Sequence, residues 1–118
     1  MPESVENLRI WQESMDLAVA VYQLTRYWPE GERFGLVNQA RRAAYSIPTN
    51  LAEGIGRGTK GEAARYARMA LGSAYELYTL LELARRLSFP EPEKDLNQKL
   101  QSLIRQISSF IAYQEAKK

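Results

Sequence analysis

The sequence predicts an all-helical fold, an antiparallel up-down-up-down four-helix bundle with its second helix kinked at Pro48. Three observations predict it. Apolar residues recur every three or four positions along four long stretches, the signature of a helix with one buried face. Proline and glycine clusters break the chain between those stretches. No stretch alternates apolar and polar residues as a half-buried strand does. The 118 residues suit a single domain spanning 1–118.

The first helix is expected over 7–27. Leu8, Trp11, Met15, Ala18, Tyr22 and Thr25 form a heptad seam suited to a bundle core. A second stripe, Ile10, Leu17, Val21, Leu24 and Trp28, lies well apart around the helix. A helix apolar on two sides needs a second partner. The second stripe therefore reads either as part of a deeply sunk helix or as a subunit interface, and we assign it to the interface.

Pro29 and Gly31 end this helix. The short connection predicts that the second helix, starting near Glu32 or Arg33, returns beside the first. Its inner face reads Leu36, Ala40, Ala43 or Ala44, Ile47, Leu51 and Ile55. Pro48 removes an amide donor and crowds the carbonyl four residues back. The apolar rhythm keeps its phase across it, so a kink is expected, not two helices. Thr49 and Asn50 stand nearby to help the freed backbone.

Gly54, Gly56 and Gly58 close the second helix, and Thr59 with Glu62 reads as a capping box for the third. That helix runs to about Leu87 along Ala63, Ala67, Ala70 or Leu71, Ala74, Leu77 or Tyr78, Leu81 and Ala84. Gly72-Ser73 in its middle suggests close approach of Ala70–Ala74 to the segment Ala43–Ile47. Two prolines, Pro90 and Pro92, precede the last helix, which keeps its seam through Leu96, Leu100, Leu103, Ile107 and Phe110 or Ile111. The tail EAKK is expected to fray.

Composition narrows the chemistry. The chain has no cysteine and no histidine. Disulfides and thiolate metal sites are excluded, and the commonest general base and metal ligand are missing. Ser46 and Ser73 have no histidine to activate them. Glu53 and Glu76 lack the Glu-x-x-His context of di-iron bundles. The glycines near 54–58 follow a helix and lack a Gly-Lys-Ser/Thr ending, so they match a phosphate loop only weakly, although the start of the third helix with Lys60, Arg57 and Arg65 suits an anion. The expectations are no enzyme, no cofactor and no metal. With no apolar run of ~18 residues and no signal-like start, a cytoplasmic location is expected.

The net charge of +2 conceals an asymmetry. Residues 1–32 carry two arginines against six acidic residues, whereas 33–68 carry seven basic residues against two acidic ones. Such a basic middle suits a polyanion or a complementary surface. Arg41, Arg42, Arg57, Lys60, Arg65 and Arg68 are the candidate RNA or DNA contacts, binding mainly through phosphates. Tyr45 and Tyr66 are the options for base stacking. The alternatives are a solvated face, or subunit or partner contacts in a protein-interaction scaffold.

Several blocks, NLRIWQ, ERFGL, QARRAAYSIPTNLAEG and ALGSAYEL, resemble the bacterial proteins encoded within intervening sequences of 23S ribosomal RNA genes. The similarity covers roughly residues 5–88. That family is similar in turn to the accessory protein of diversity-generating retroelements, which binds nucleic acid and a reverse transcriptase. The resemblance implies a four-helix bundle assembled as a ring-like homopentamer, with RNA or DNA, a reverse transcriptase or another protein as partner. The positions matching its motif are Arg41, Arg42, Ser46, Pro48, Asn50, Glu53, Gly54 and Arg57. Among them Ser46, Pro48 and Gly54 read as architectural.

Overall fold

In the computed structural model, residues 3–93 and 95–116 are described. Four long helices account for most of them, with no strand among the described residues. A short turn, α1 (Glu3–Glu6), precedes α2 (Arg9–Thr25). The other long helices are α3 (Asn38–Gly56), α4 (Lys60–Arg86) and α5 (Leu96–Ala116). The molecule measures 46 × 24 × 20 Å. No described helix is long and apolar enough to cross a membrane.

Contact is most extensive between α3 and α4 and much thinner between α2 and α5. The reason lies in side-chain size. Ala40, Ala43 and Ala44 of α3 and Ala63, Ala67, Ala70 and Ala74 of α4 are all buried, and small residues let backbones approach. Gly54 marks the tightest point. A Cβ there would sit 2.8 Å from Tyr66 Cβ and 3.1 Å from the Glu62 carbonyl. Further along, the Ser46 and Ser73 hydroxyls hydrogen-bond across the seam. Segments 43–47 and 70–74 thus meet as expected, but Gly72 takes no part, since a Cβ at that position meets nothing within 4 Å. Beyond the alanines, Leu77, Leu80, Leu81, Leu100, Leu103 and Ile107 fill the core.

The second stripe of α2 lies elsewhere than predicted. Ile10, Leu17, Val21 and Trp28 are buried in the chain's own core, and Leu24 packs against that core. They are not a free interface. The first stripe is the one left partly outside: Met15 and Tyr22 are exposed, Leu8 and Trp11 half-buried, and Ala18 and Thr25 buried. The physical reason is chemical. Ile, Leu and Val bury without leaving a polar atom unsatisfied, whereas tyrosine and methionine tolerate a rim position. Trp28 also finds a partner inside, its Nε1 donating to the Pro90 carbonyl at 3.2 Å while its ring meets Phe89 at 5.7 Å.

The connection after α2 is more structured than expected. Glu30–Glu32 forms a 3-10 turn and Arg33–Val37 a wider π turn, so regular α3 begins only at Asn38. Gly35 leaves the helical region, with φ −108° and ψ −106°, and the Glu32 carboxylate accepts the Leu36 N–H at 3.3 Å. Pro48 sits buried inside α3, which continues across it as one helix. Thr49 Oγ1 and Asn50 Nδ2 donate to the carbonyls of Tyr45 and Ser46, at 2.7 and 2.9 Å. Those are the carbonyls next to Ala44, whose own amide partner the proline removes.

The helix ends follow local rules. Thr59 caps α4, its hydroxyl accepting the Glu62 N–H at 3.1 Å. The Glu62 carboxylate turns instead to Arg65, so half of the capping box forms. Gly58, with φ +83°, supplies the left-handed step before the cap. At the end of α4, Phe89 N–H bonds the Ala84 carbonyl and Ser88 N–H the Arg85 carbonyl. This is a Schellman motif with serine, at φ +62°, where glycine is usual. Helix α5 starts at Leu96, slightly later than expected, and runs through Ala116. Lys117 and Lys118 of the tail lie outside the described residues.

Gly54 and Gly72 are expected to respond oppositely to alanine. Gly54→Ala forces a methyl into the α3–α4 backbone and costs about 1–3 kcal/mol. Gly72→Ala stabilises by about 0.5–1 kcal/mol, because its site is open and alanine favours the helix. Urea denaturation followed by circular dichroism measures both.

Candidate interface groove and basic end

With Ile10, Leu17 and Val21 turned inward, the opposite side of α2 faces α3 across an open groove of about 1140 Å³. Its floor and walls include Trp11, Met15, Val19, Tyr22, Tyr45 and Pro48. Four of these, Met15, Val19, Tyr22 and Tyr45, are exposed large apolar side chains. Isolated exposed apolar residues are ordinary; these four share one groove, which makes it the candidate interface. Arg26, Arg41 and Arg57 also line the groove, against a single acid, Glu53.

Arg41 is anchored more than it is displayed. Its Nε donates to the buried Thr25 hydroxyl at 2.8 Å, and its Nη2 to the Tyr22 carbonyl at 3.2 Å. The guanidinium also lies 4.5 Å from the Tyr22 ring centroid. Helix α2 has no basic residue in its own last turn. A cation reaching over from α3 meets the negative end of the α2 dipole and one of its terminal carbonyls. Thr25 in turn donates to the Val21 carbonyl at 2.8 Å, which settles its burial.

Arg42 is exposed and makes no side-chain hydrogen bond or ion pair with any described residue. It borders a polar hollow of about 390 Å³ with Gln39, Ser46 and Glu76. The other candidate basic residues lie around the α3–α4 turn and along the start of α4, and the arginines among them are partnered. Arg57 pairs with Glu53 at 3.1 Å, and Arg65 with Glu62 at 3.0 Å. Arg68 makes a two-pronged bridge to Glu115 of α5, its closest approach 2.7 Å. Lys60, next to the Thr59 cap, is also engaged. The guanidinium carbons of Arg57 and Arg65 lie 5.1 and 4.6 Å from the Tyr66 ring centroid. Tyr66 thus has neighbours on its ring, whereas Tyr45 lies on the groove.

The opposite flank of α2 is acidic. Glu13, Asp16, Glu91, Glu93 and Asp95 line a cleft of about 740 Å³ between α2 and α5, with Arg26 and Lys99 the basic members. Glu13 is bound there by Arg9 at 2.6 Å and by Gln106 at 2.8 Å. Those donors, Arg9 first, hold its carboxyl below the usual range despite some desolvation. On α4, the Arg85 and Arg86 guanidiniums hold Glu82 down to about 2. No group of three or more acidic residues among those described is placed to hold a metal ion.

Sequence reasoning grouped six basic residues as one surface, and the structure separates them. Arg41 serves the α2–α3 contact, Arg42 opens onto its own hollow, and the remaining four share the α3–α4 end with their acidic partners. The groove residues Met15, Val19 and Tyr45 were not singled out as an interface. Of the three, Met15 stood in the apolar seam read on α2, Tyr45 was read as an option for base stacking, and Val19 fell in neither stripe. Arg41→Ala is expected to lower stability by about 1–3 kcal/mol through loss of its two bonds and the ring contact. Arg42→Ala stays within about 0.5 kcal/mol. Thermal and urea unfolding of the two variants separates the roles.

Among curated proteins, none matches the chain. The sequence family described as 23S rRNA-intervening sequence protein matches residues 6–112. That match takes in α2, α3 and α4 whole, most of α5, the groove and all six candidate basic residues, and the chain belongs to the 23S rRNA-intervening sequence protein family.

Proposed function

We propose that the protein is a non-enzymatic, cytoplasmic assembly module, a single domain whose copies associate by covering the α2–α3 groove. The observation that carries this reading is the row Met15, Val19, Tyr22 and Tyr45, exposed together along one groove beside Pro48. A contiguous aromatic and aliphatic surface of this kind is what an interface core uses. The opposite charges on the two flanks of α2 favour like copies side by side. Five copies in a ring is the form that the family resemblance implies.

The finer architecture belongs to the same proposal. The helices run alternately up and down. Two links support this, Trp28 to Pro90 between the α2–α3 and α4–α5 connections and Arg68 near the start of α4 to Glu115 near the end of α5. Helix α3 bends at Pro48, which lines the groove. The absence of an enzymatic role rests on the residues. The chain has no histidine or cysteine, and among the described residues the Ser46 hydroxyl is paired with that of Ser73.

A second reading, RNA or DNA bound through its phosphates, is favoured by Arg57, Lys60, Arg65 and Arg68 at the α3–α4 end. Their exposed ion pairs are each worth ~0–1 kcal/mol, so phosphates exchange with them readily. The local acids Glu53, Glu62 and Glu115 nevertheless cancel most of that charge, which places this reading second.

Light scattering over rising concentration tests the assembly. A mass several times the 13.5 kDa chain is expected, and a mass that stays at one chain rejects it. A fluorescent RNA hairpin titrated at two salt concentrations tests the second reading. Binding that weakens steeply with salt supports it, and no binding at low salt removes it.

A further inference from the structure

Phe34 is the outstanding exposed apolar side chain. It is 89% exposed, more than any other large apolar residue described. It does not dangle. It stands on the π turn Arg33–Val37, whose start is fixed by the Glu32 carboxylate on the Leu36 N–H and by the Glu30–Arg33 pair at 3.3 Å. A ring held outward by a formed turn loses little freedom when it docks.

The α2–α3 groove is a fitting receptor. It is open, lined by Trp11, Met15, Val19, Tyr22, Tyr45 and Pro48, and wide enough for an aromatic side chain. Phe34 of the same chain is not among its lining residues, so the chain does not fill its own groove. Charge matches as well. The turn around Phe34 carries Glu30 and Glu32 against Arg33, while the groove carries Arg26, Arg41 and Arg57 against Glu53. Arg26 makes no ion pair with any described residue, so it is available to an incoming carboxylate.

We propose that the Phe34 turn of one copy seats in the α2–α3 groove of the next. This rests on the reading that copies assemble through the groove, and it names the surface that enters it. Because knob and groove are different parts of the chain, the contact is heterologous. Each copy then offers one of each, and repetition closes into a ring or extends into a filament. Contacts of this kind concentrate their energy in a buried aromatic anchor ringed by charge.

Two variants of the full chain test the proposal, Phe34→Ser with the groove intact and Val19→Arg with the turn intact. Both positions are exposed, Val19 to 55%, so helicity by circular dichroism is expected to match the parent. Each variant alone is expected to run as a single chain in light scattering. Their equimolar mixture is expected to give a two-chain particle, because one good turn meets one good groove. A mixture that stays at one chain overturns the heterologous contact. If Phe34→Ser assembles like the parent while Val19→Arg does not, Phe34 is not the anchor, although assembly through the groove stands. If the parent itself stays single at high concentration, the occupant is a different molecule and both readings fall. The chain contains no cysteine, which allows a second check that tolerates loss of affinity. Mixed Phe34→Cys and Val19→Cys variants are expected to form a disulfide-linked pair on oxidation. Linkage no greater than in either variant alone overturns the proposal.

Discussion

The arrangement depends on how closely α3 and α4 approach. Gly54 leaves no room for even a methyl against Tyr66 and the Glu62–Ala63 backbone, and buried alanines continue the seam on both helices. A pair this thin cannot supply the bulk of a core. That bulk comes from the leucines of the second half of α4, from α5, and from the Ile10, Leu17 and Val21 row of α2. Helix α2 is therefore committed by its aliphatic row, and what remains on its other side faces α3 without being covered. The groove is the counterpart of the thin seam. Side-chain tethers fix the position of α2: Arg41 on Thr25 and Tyr22, Trp28 on Pro90, and Gln106 on Glu13.

Much of the fold was legible because it depends on period and punctuation. The helical rows of α3, α4 and α5, the Thr59 cap and the proline break before α5 all follow from residue type at a given spacing. The α2 stripes were legible as two rows but not as inside and outside. Periodicity gives the angle between rows, and only packing against α3 and α5 decides which row is buried. The same limit applies to glycine. Gly72 looked like the contact point because it interrupts a helix, yet Gly54 at a helix end is where the backbones meet. The turn around Phe34 and the left-handed Ser88 were not readable, since π turns and serine in that conformation lack a strong local signature.

The candidate site was less legible than the fold for an electrostatic reason. A run of arginines reads as one basic surface only if their partners are ignored. Several acids that neutralise them stand three or four residues away on the same helix, as Glu53 does for Arg57 and Glu62 for Arg65. Glu115 reaches Arg68 from a different helix, and Thr25 takes Arg41 from across a helix pair. Pairing of that second kind is invisible in a linear charge count. The outcome is a chain whose arginines at the α3–α4 end are largely balanced locally and in which four of the exposed large apolar side chains, Met15, Val19, Tyr22 and Tyr45, share one groove.

The central claim is that this groove is covered when the protein is at work. The two described methionines provide an internal comparison. Met15 lines the groove and is 40% exposed in the single chain, while Met69 lies on α4 outside the groove and is 48% exposed. Limited peroxide oxidation read by mass spectrometry reports the solvent access of each. The account predicts that Met15 oxidises several-fold more slowly than Met69 in concentrated protein and catches up on dilution. Equal rates for the two methionines at every concentration contradict it.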